Sequence, residues 1–148
     1  MKSNITGRAS AVIDAPSKKV WDALTKPEMI RKYFFGTEAV SDWKAGSPLY
    51  FRGEWEGKKY EDKGIILDTQ PPKLFQYKYW SSLSGIEDKP ENYVTITYEL
   101  IEENGGTRLT ITQENIPDEK MKEHSEQNWN KVLSDLKNFV ENGVAAYA

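Results

Sequence analysis

No cysteine occurs among the 148 residues. That absence removes disulfides, thiolate metal ligands and thiol nucleophiles together. Histidine occurs once, as His124, so a zinc site would need an unusual set of carboxylate partners. No apolar run approaches the roughly 20 residues of a membrane span. The opening stretch, Met1 to Asp14, lacks the apolar core of a secretory signal. A cytoplasmic location without membrane insertion is therefore expected. Cations are not in excess either: 20 Lys and Arg face 23 Asp and Glu, a net charge of −3. Nucleic acid is accordingly not an expected partner. No Gly-x-Ser-x-Gly elbow is present, and Gly105-Gly106 is a hairpin signal with no helix after it to cradle phosphate. No catalytic residue, metal or cofactor is assigned.

Aromatics are plentiful, with five Trp, eight Tyr and five Phe. They carry large burial energies, and a chain of this length can bury a real core. One domain spanning residues 1–148 is expected, since neither an internal repeat nor a linker interrupts it. The longest periodic stretch runs from Asp118 to about Glu141. Met121, Ser125, Asn128/Trp129, Val132, Leu133, Leu136 and Phe139/Val140 recur at spacings of three and four, one stripe of an amphipathic helix. The stripe is apolar in its second half and partly polar in its first, and it needs an apolar surface opposite.

The upstream chain supplies that surface as strands. Ile5–Ile13 reads as the first. Ser17 then reads as the N-cap of a short helix carrying Val20, Trp21 and Leu24, and Pro27 opens a second short helix to Phe34. Beyond Gly36 the period changes to two. Leu49, Phe51, Gly53 and Trp55 alternate with polar residues, as do Phe75, Tyr77 and Tyr79, then Val94, Ile96, Tyr98 and Leu100, then Leu109, Ile111 and Gln113. Tyr60 to Asp68 is a further strand, although Ile65-Ile66-Leu67 leaves its inward side undecided. Ser81 to Asn92 is a long polar connection, and Asn104-Gly105-Gly106 is a hairpin turn. The fold class is α+β, a curved antiparallel sheet wrapped around a long C-terminal helix, with two short helices after the first strand.

Four segments in this order resemble a known family. VIDAPSKKVWDALTKPEMIRKYF, KGIILDTQPPKLFQYKYW, and TRLTITQENIP followed by NWNKVLSDLKNFVE are similar to the activator of heat shock protein 90 ATPase homologue-like domains. The resemblance spans roughly residues 5 to 141. It implies the helix-grip fold of START, birch-pollen-allergen-like and polyketide-cyclase-like proteins: seven antiparallel strands gripping the last helix around a hydrophobic cavity. It implies no single activity, because the fold hosts carriers, cyclases, receptors and chaperone-associated domains. The eukaryotic activator carries a further N-terminal domain that does not precede this sequence, so chaperone stimulation is not expected. Many members place glycine before the helix Trp, where this chain has Asn128.

The candidate ligand-binding residues are Phe51, Trp55, Ile66, Tyr77, Tyr79, Tyr98, Gln113, Met121, Ser125, Asn128, Trp129 and Val132. Together they offer apolar walls with a few hydroxyls and amides, the make-up of a small-molecule pocket. The opposing reading is a filled core with tyrosine hydroxyls at its edge. Glu54, Glu56, Glu61 and Asp62 read as a solvated rim, because they alternate with Trp55 and Tyr60. Arg52 reads as a surface partner of Glu54 or Glu61. The leading function is non-catalytic binding of a small hydrophobic or amphipathic ligand. A cyclase or hydrolase using Tyr77, Tyr79, Gln113 or His124 is the alternative. A protein-interaction module, chaperone partners included, is the third reading, with Trp43 or Phe35 as contacts. The oligomeric state and the ligand's identity are not legible in the sequence.

Overall fold

A computed structural model of the chain describes residues 4–82 and 85–147, apart from the side chain of Trp55. The elements in order are β1 (Ile5–Ile13), α1 (Ser17–Thr25), α2 (Pro27–Tyr33), β2 (Glu38–Ser41), β3 (Pro48–Trp55), β4 (Lys58–Gln70), β5 (Leu74–Trp80), β6 (Val94–Glu103), β7 (Gly106–Ile116) and α3 (Glu119–Asn142). A single 3-10 turn, Pro90–Asn92, interrupts the connection from β5 to β6. The strands form one antiparallel sheet of seven in the order β1-β7-β6-β5-β4-β3-β2. This is the helix-grip architecture, with α3 held against the concave face.

The alternation read from the sequence sets the register of that face. Across neighbouring strands Phe51 pairs with Asp62, Gly64 with Tyr79, Tyr77 with Ile96, and Ile96 with Gln113. A period of two puts all of these on the side facing α3. The ambiguous triplet of β4 is resolved by a bulge between Ile66 and Asp68. Ile66 is fully buried, whereas Ile65 and Leu67 are 48% and 39% exposed. The triplet itself still alternates, and the bulge makes Leu67 the extra residue ahead of Asp68.

Helix α3 begins where its cap is strongest. Asp118 accepts a hydrogen bond from the Met121 N–H at 2.8 Å, and Gly143 closes the other end in the left-handed region. Val132, Leu133, Leu136 and Val140 are buried along one stripe of the helix. Three side chains from its other flank reach the free edge of β1. Glu126 accepts from the Arg8 N–H at 2.9 Å, Lys137 donates to the Val12 carbonyl at 2.7 Å, and Glu141 accepts from the Asp14 N–H at 2.8 Å.

Two local readings are corrected. Ser17 is not a helix cap: Pro16 holds that position, and Ser17 is buried inside α1. Its hydroxyl lies 3.3 Å from that of Thr107, and its N–H donates to Glu102 at 3.1 Å, so tertiary partners replace the cap. The short strand β2 was not apparent, because four residues with one buried side chain carry too little periodicity to register. Trp21 is core, as its place on the apolar face of α1 implies. Among the described residues no helix is long and apolar enough to cross a membrane.

Candidate ligand-binding site

Between the concave face and the N-terminal half of α3 lies a cavity of about 610 Å³. That volume falls in the range of small-molecule sites, roughly 300–1,000 Å³. Nine of the candidate residues line it: Phe51, Tyr77, Tyr79, Gln113, Met121, Ser125, Asn128, Trp129 and Val132. Their convergence follows from two periodicities meeting. Residues 77, 79, 96 and 113 share one face of neighbouring strands, and residues 121, 125, 128, 129 and 132 share one face of the helix.

Ile66 and Tyr98 are placed elsewhere. Both face inward and are buried, but neither lines the cavity. Tyr98 shares a hydrogen bond of 2.8 Å with the Tyr77 hydroxyl and stands edge-on to Trp129. It lines instead a void of only about 10 Å³, among Leu24, Phe75 and their neighbours. In this lower half the filled-core reading holds. Trp55 belongs to β3, and its side chain falls outside the described residues.

The deep wall of the cavity is aromatic. Phe34 stacks on Phe51 with centroids 5.7 Å apart, and Phe51, Tyr77 and Tyr79 make a chain of ring contacts. Trp129 donates its indole N–H to the Gln113 amide oxygen at 2.7 Å, which fixes the amide against the helix. Phe35, also on the lining, holds φ 54°, a left-handed conformation that is strained for an aromatic residue. Met121 and Ser125 are half-buried, while His124 and Asn128 are exposed, so the opening lies along the first turns of α3.

The polar end is the part that sequence reasoning misplaced. Asp62 is not on a solvated rim; it is only 6% exposed and faces into the cavity. Tyr79 donates to its Oδ2 at 2.5 Å, and the N–H and hydroxyl of Ser82 donate to Oδ1 at 2.8 and 3.2 Å. Beside it the hydroxyls of Tyr60 and Thr37 are 2.5 Å apart. Tyr60 can lie across β3 because position 53 is glycine; a Cβ there would sit 2.5 Å from the phenolic oxygen. Burial pushes the Tyr79 phenol well above its ordinary pKa, and the neighbouring Asp62 pushes it further. Burial also raises Tyr60, against the lowering effect of its Thr37 hydrogen bond, with Asp62 again raising it. Both phenols therefore stand as protonated donors at neutral pH. The missed signal was the period itself, since Asp62 shares parity with Tyr60, Gly64 and Ile66.

The other acidic candidates face water. Glu54, Glu56 and Glu61 are exposed, and Glu61 pairs with Arg52 at 2.6 Å across the β3–β4 register. Among the described residues no group of three His, Asp or Glu side chains is arranged to hold a metal ion. The connection after β5 borders the opening through Ser81, Ile86 and Asn92. It is tied down by Lys63 to Asp88 at 2.5 Å, by Tyr93 to Asp88 at 2.6 Å, and by the Trp80 indole to the Ile86 carbonyl at 2.9 Å.

Comparison with known proteins follows the same architecture. The sequence profile of the family described as Activator of Hsp90 ATPase homolog 1-like protein matches residues 14–141. A solution structure from Cytophaga hutchinsonii is 46% identical with a TM-score of 0.83, covering 97% of this chain and 98% of that one. A crystal structure from Chromobacterium violaceum is 25% identical with a TM-score of 0.76, covering 92% and 96%. The solution structure of the Aha1 dimer from Colwellia psychrerythraea, at 19% identity and a TM-score of 0.74, covers 94% and 98% and shares the fold. Among curated proteins nothing matches this chain.

Proposed function

The chain belongs to the Activator of Hsp90 ATPase homolog 1-like family, and from that premise we propose that it binds a small amphipathic molecule between sheet and helix without chemically transforming it. The observation that carries this reading is the cavity of about 610 Å³, apolar along its depth and polar at one end. An empty volume of this size has a cost: its lining forgoes dispersion contacts that a packed core would make. The lower half of the same core is packed to a residual 10 Å³, so the chain can fill space where nothing is to be bound.

Phe51, Tyr77, Trp129 and Val132 supply the apolar wall of this site, and Gln113, Ser125, Asn128, Tyr79 and Asp62 its polar contacts. His124 stands exposed at the opening. A cytoplasmic setting agrees with the lack of cysteine.

The test is native mass spectrometry of the freshly purified protein beside its denatured mass, followed by titration with an apolar fluorescent probe. Retained extra mass, or saturable probe binding that Ser125→Trp abolishes while the fold persists, supports the reading. Neither retained mass nor saturable binding would mean that the cavity has no small-molecule role.

A further inference from the structure

Among the described residues, the carboxyl group at the polar end of the cavity has no cationic partner. Asp62 is more than nine-tenths buried, and its hydrogen-bond donors among the described residues, Tyr79 Oη–H, Ser82 N–H and Ser82 Oγ–H, are all neutral. Both of its oxygens accept hydrogen bonds, the arrangement that suits a carboxylate. Neither lysine nor arginine is found on the described lining. Lys63, the next residue along β4, projects to the opposite face and is taken up by Asp88. Buried charges are normally paired, because removal from water costs several kcal/mol per ion even after relaxation. Here neutral hydrogen bonds meet part of that need, and the remaining face of the carboxylate borders open volume.

On that basis, and resting on the ligand-binding reading above, we infer that the cavity selects cationic amphiphiles, a protonated amine joined to an apolar body. The ammonium supplies the missing charge at Asp62, while its apolar part lies along Phe51, Tyr77 and Ile96. The hydroxyls of Tyr60 and Thr37 offer oxygen acceptors for the ammonium's remaining protons. An anionic amphiphile is disfavoured by the same arrangement, because two carboxylates would share one low-dielectric space. A neutral alcohol gains a hydrogen bond but not the charge.

Three probes of equal chain length separate these cases: decylamine, decanol and decanoate, each titrated against the native protein by displacement of an apolar fluorophore. Decylamine is expected to bind about tenfold more tightly than decanol, the difference between a charge-assisted and a neutral hydrogen bond. Decanoate is expected to be the weakest. Asp62→Asn should bring decylamine to within about threefold of decanol. As a readout that needs no variant, the Ser82 amide resonance should move on adding decylamine and stay nearly still with decanol. Equal affinity for amine and alcohol in the native protein, or an amine preference that survives Asp62→Asn, would overturn the inference while leaving a binding cavity in place. If none of the three displaces the fluorophore, the cavity reading itself fails with it.

Discussion

The indole N–H of Trp129 donates to the amide oxygen of Gln113 at 2.7 Å, which joins α3 to β7 at the wall of the cavity. Removing one partner leaves the other without its bond in a half-buried position, so the pair should be coupled. In a double-mutant cycle of Trp129→Phe and Gln113→Ala, the coupling energy should be about 1 kcal/mol, measured by urea denaturation. Simple additivity of the two single changes would show that the bond contributes nothing.

Alkaline pH should destabilise the protein through its buried phenols. Burial raises Tyr33, Tyr77, Tyr79 and Tyr98 above the ordinary value of 10.0, and Tyr93 is pushed up to about 12. A group whose folded pKa is raised keeps its proton longer in the folded state. Its stabilisation is complete below pH 10 and is lost as pH climbs from there through the folded value. The melting temperature should accordingly fall above about pH 10, with phenolate absorbance lagging until unfolding. Full ionisation of every tyrosine near that pH with the fold intact would contradict this.

Glycines 53 and 64 should differ sharply when replaced by alanine. A methyl group at Gly64 would lie 1.8 Å from the Lys78 carbonyl oxygen of β5, and backbone cannot yield without breaking the ladder. Gly64→Ala should cost about 3 kcal/mol or more. At Gly53 the obstacle is the Tyr60 ring, which can swing aside, so Gly53→Ala should cost about 1 kcal/mol. That milder change should still separate Tyr60 from Thr37 and weaken probe binding. Urea midpoints for the two variants give the comparison, and a reversed order would refute it.

Asp88 should control how readily the opening admits ligand. It takes up Lys63 of β4 and Tyr93 beside β6, and so fastens the connection after β5 at both ends. Asp88→Asn should speed amide exchange over residues 85–92 and raise probe association and dissociation rates several-fold. The pair is exposed to solvent, so the melting temperature should change by no more than about 2 °C. Unchanged exchange rates would show that the connection is held by other contacts.

Much of this arrangement was legible in the sequence because it rests on two clean periods. The threes and fours of α3 and the twos of β5, β6 and β7 brought Tyr77, Tyr79, Gln113 and Trp129 to one face before any coordinates. Alternation reports the face of a residue and not its depth. Ile66 and Tyr98 were therefore grouped with the cavity residues although they lie in the packed half of the core. Asp62 was lost for a chemical reason: a carboxylate amid Glu54, Glu56 and Glu61 reads as surface. The Tyr79 and Ser82 donors, distant in sequence, make its burial tolerable. Thr37 and Phe34 were not assigned to the cavity, and Phe35 was read as a surface contact, because all three reach the cavity from an irregular turn between α2 and β2.

The three contacts from α3 to β1 bear on how copies of this protein can meet. An outer strand normally offers a row of unpaired N–H and C=O groups onto which another chain can zip. Along β1 and at the residue after it, the Arg8 N–H, the Val12 carbonyl and the Asp14 N–H are already occupied by Glu126, Lys137 and Glu141. The helix thus stands in for a further strand and blocks β-augmentation on that side. Growth of the sheet is left only the opposite margin, where β2 offers four residues, too short a template for fibrous aggregation to start from easily.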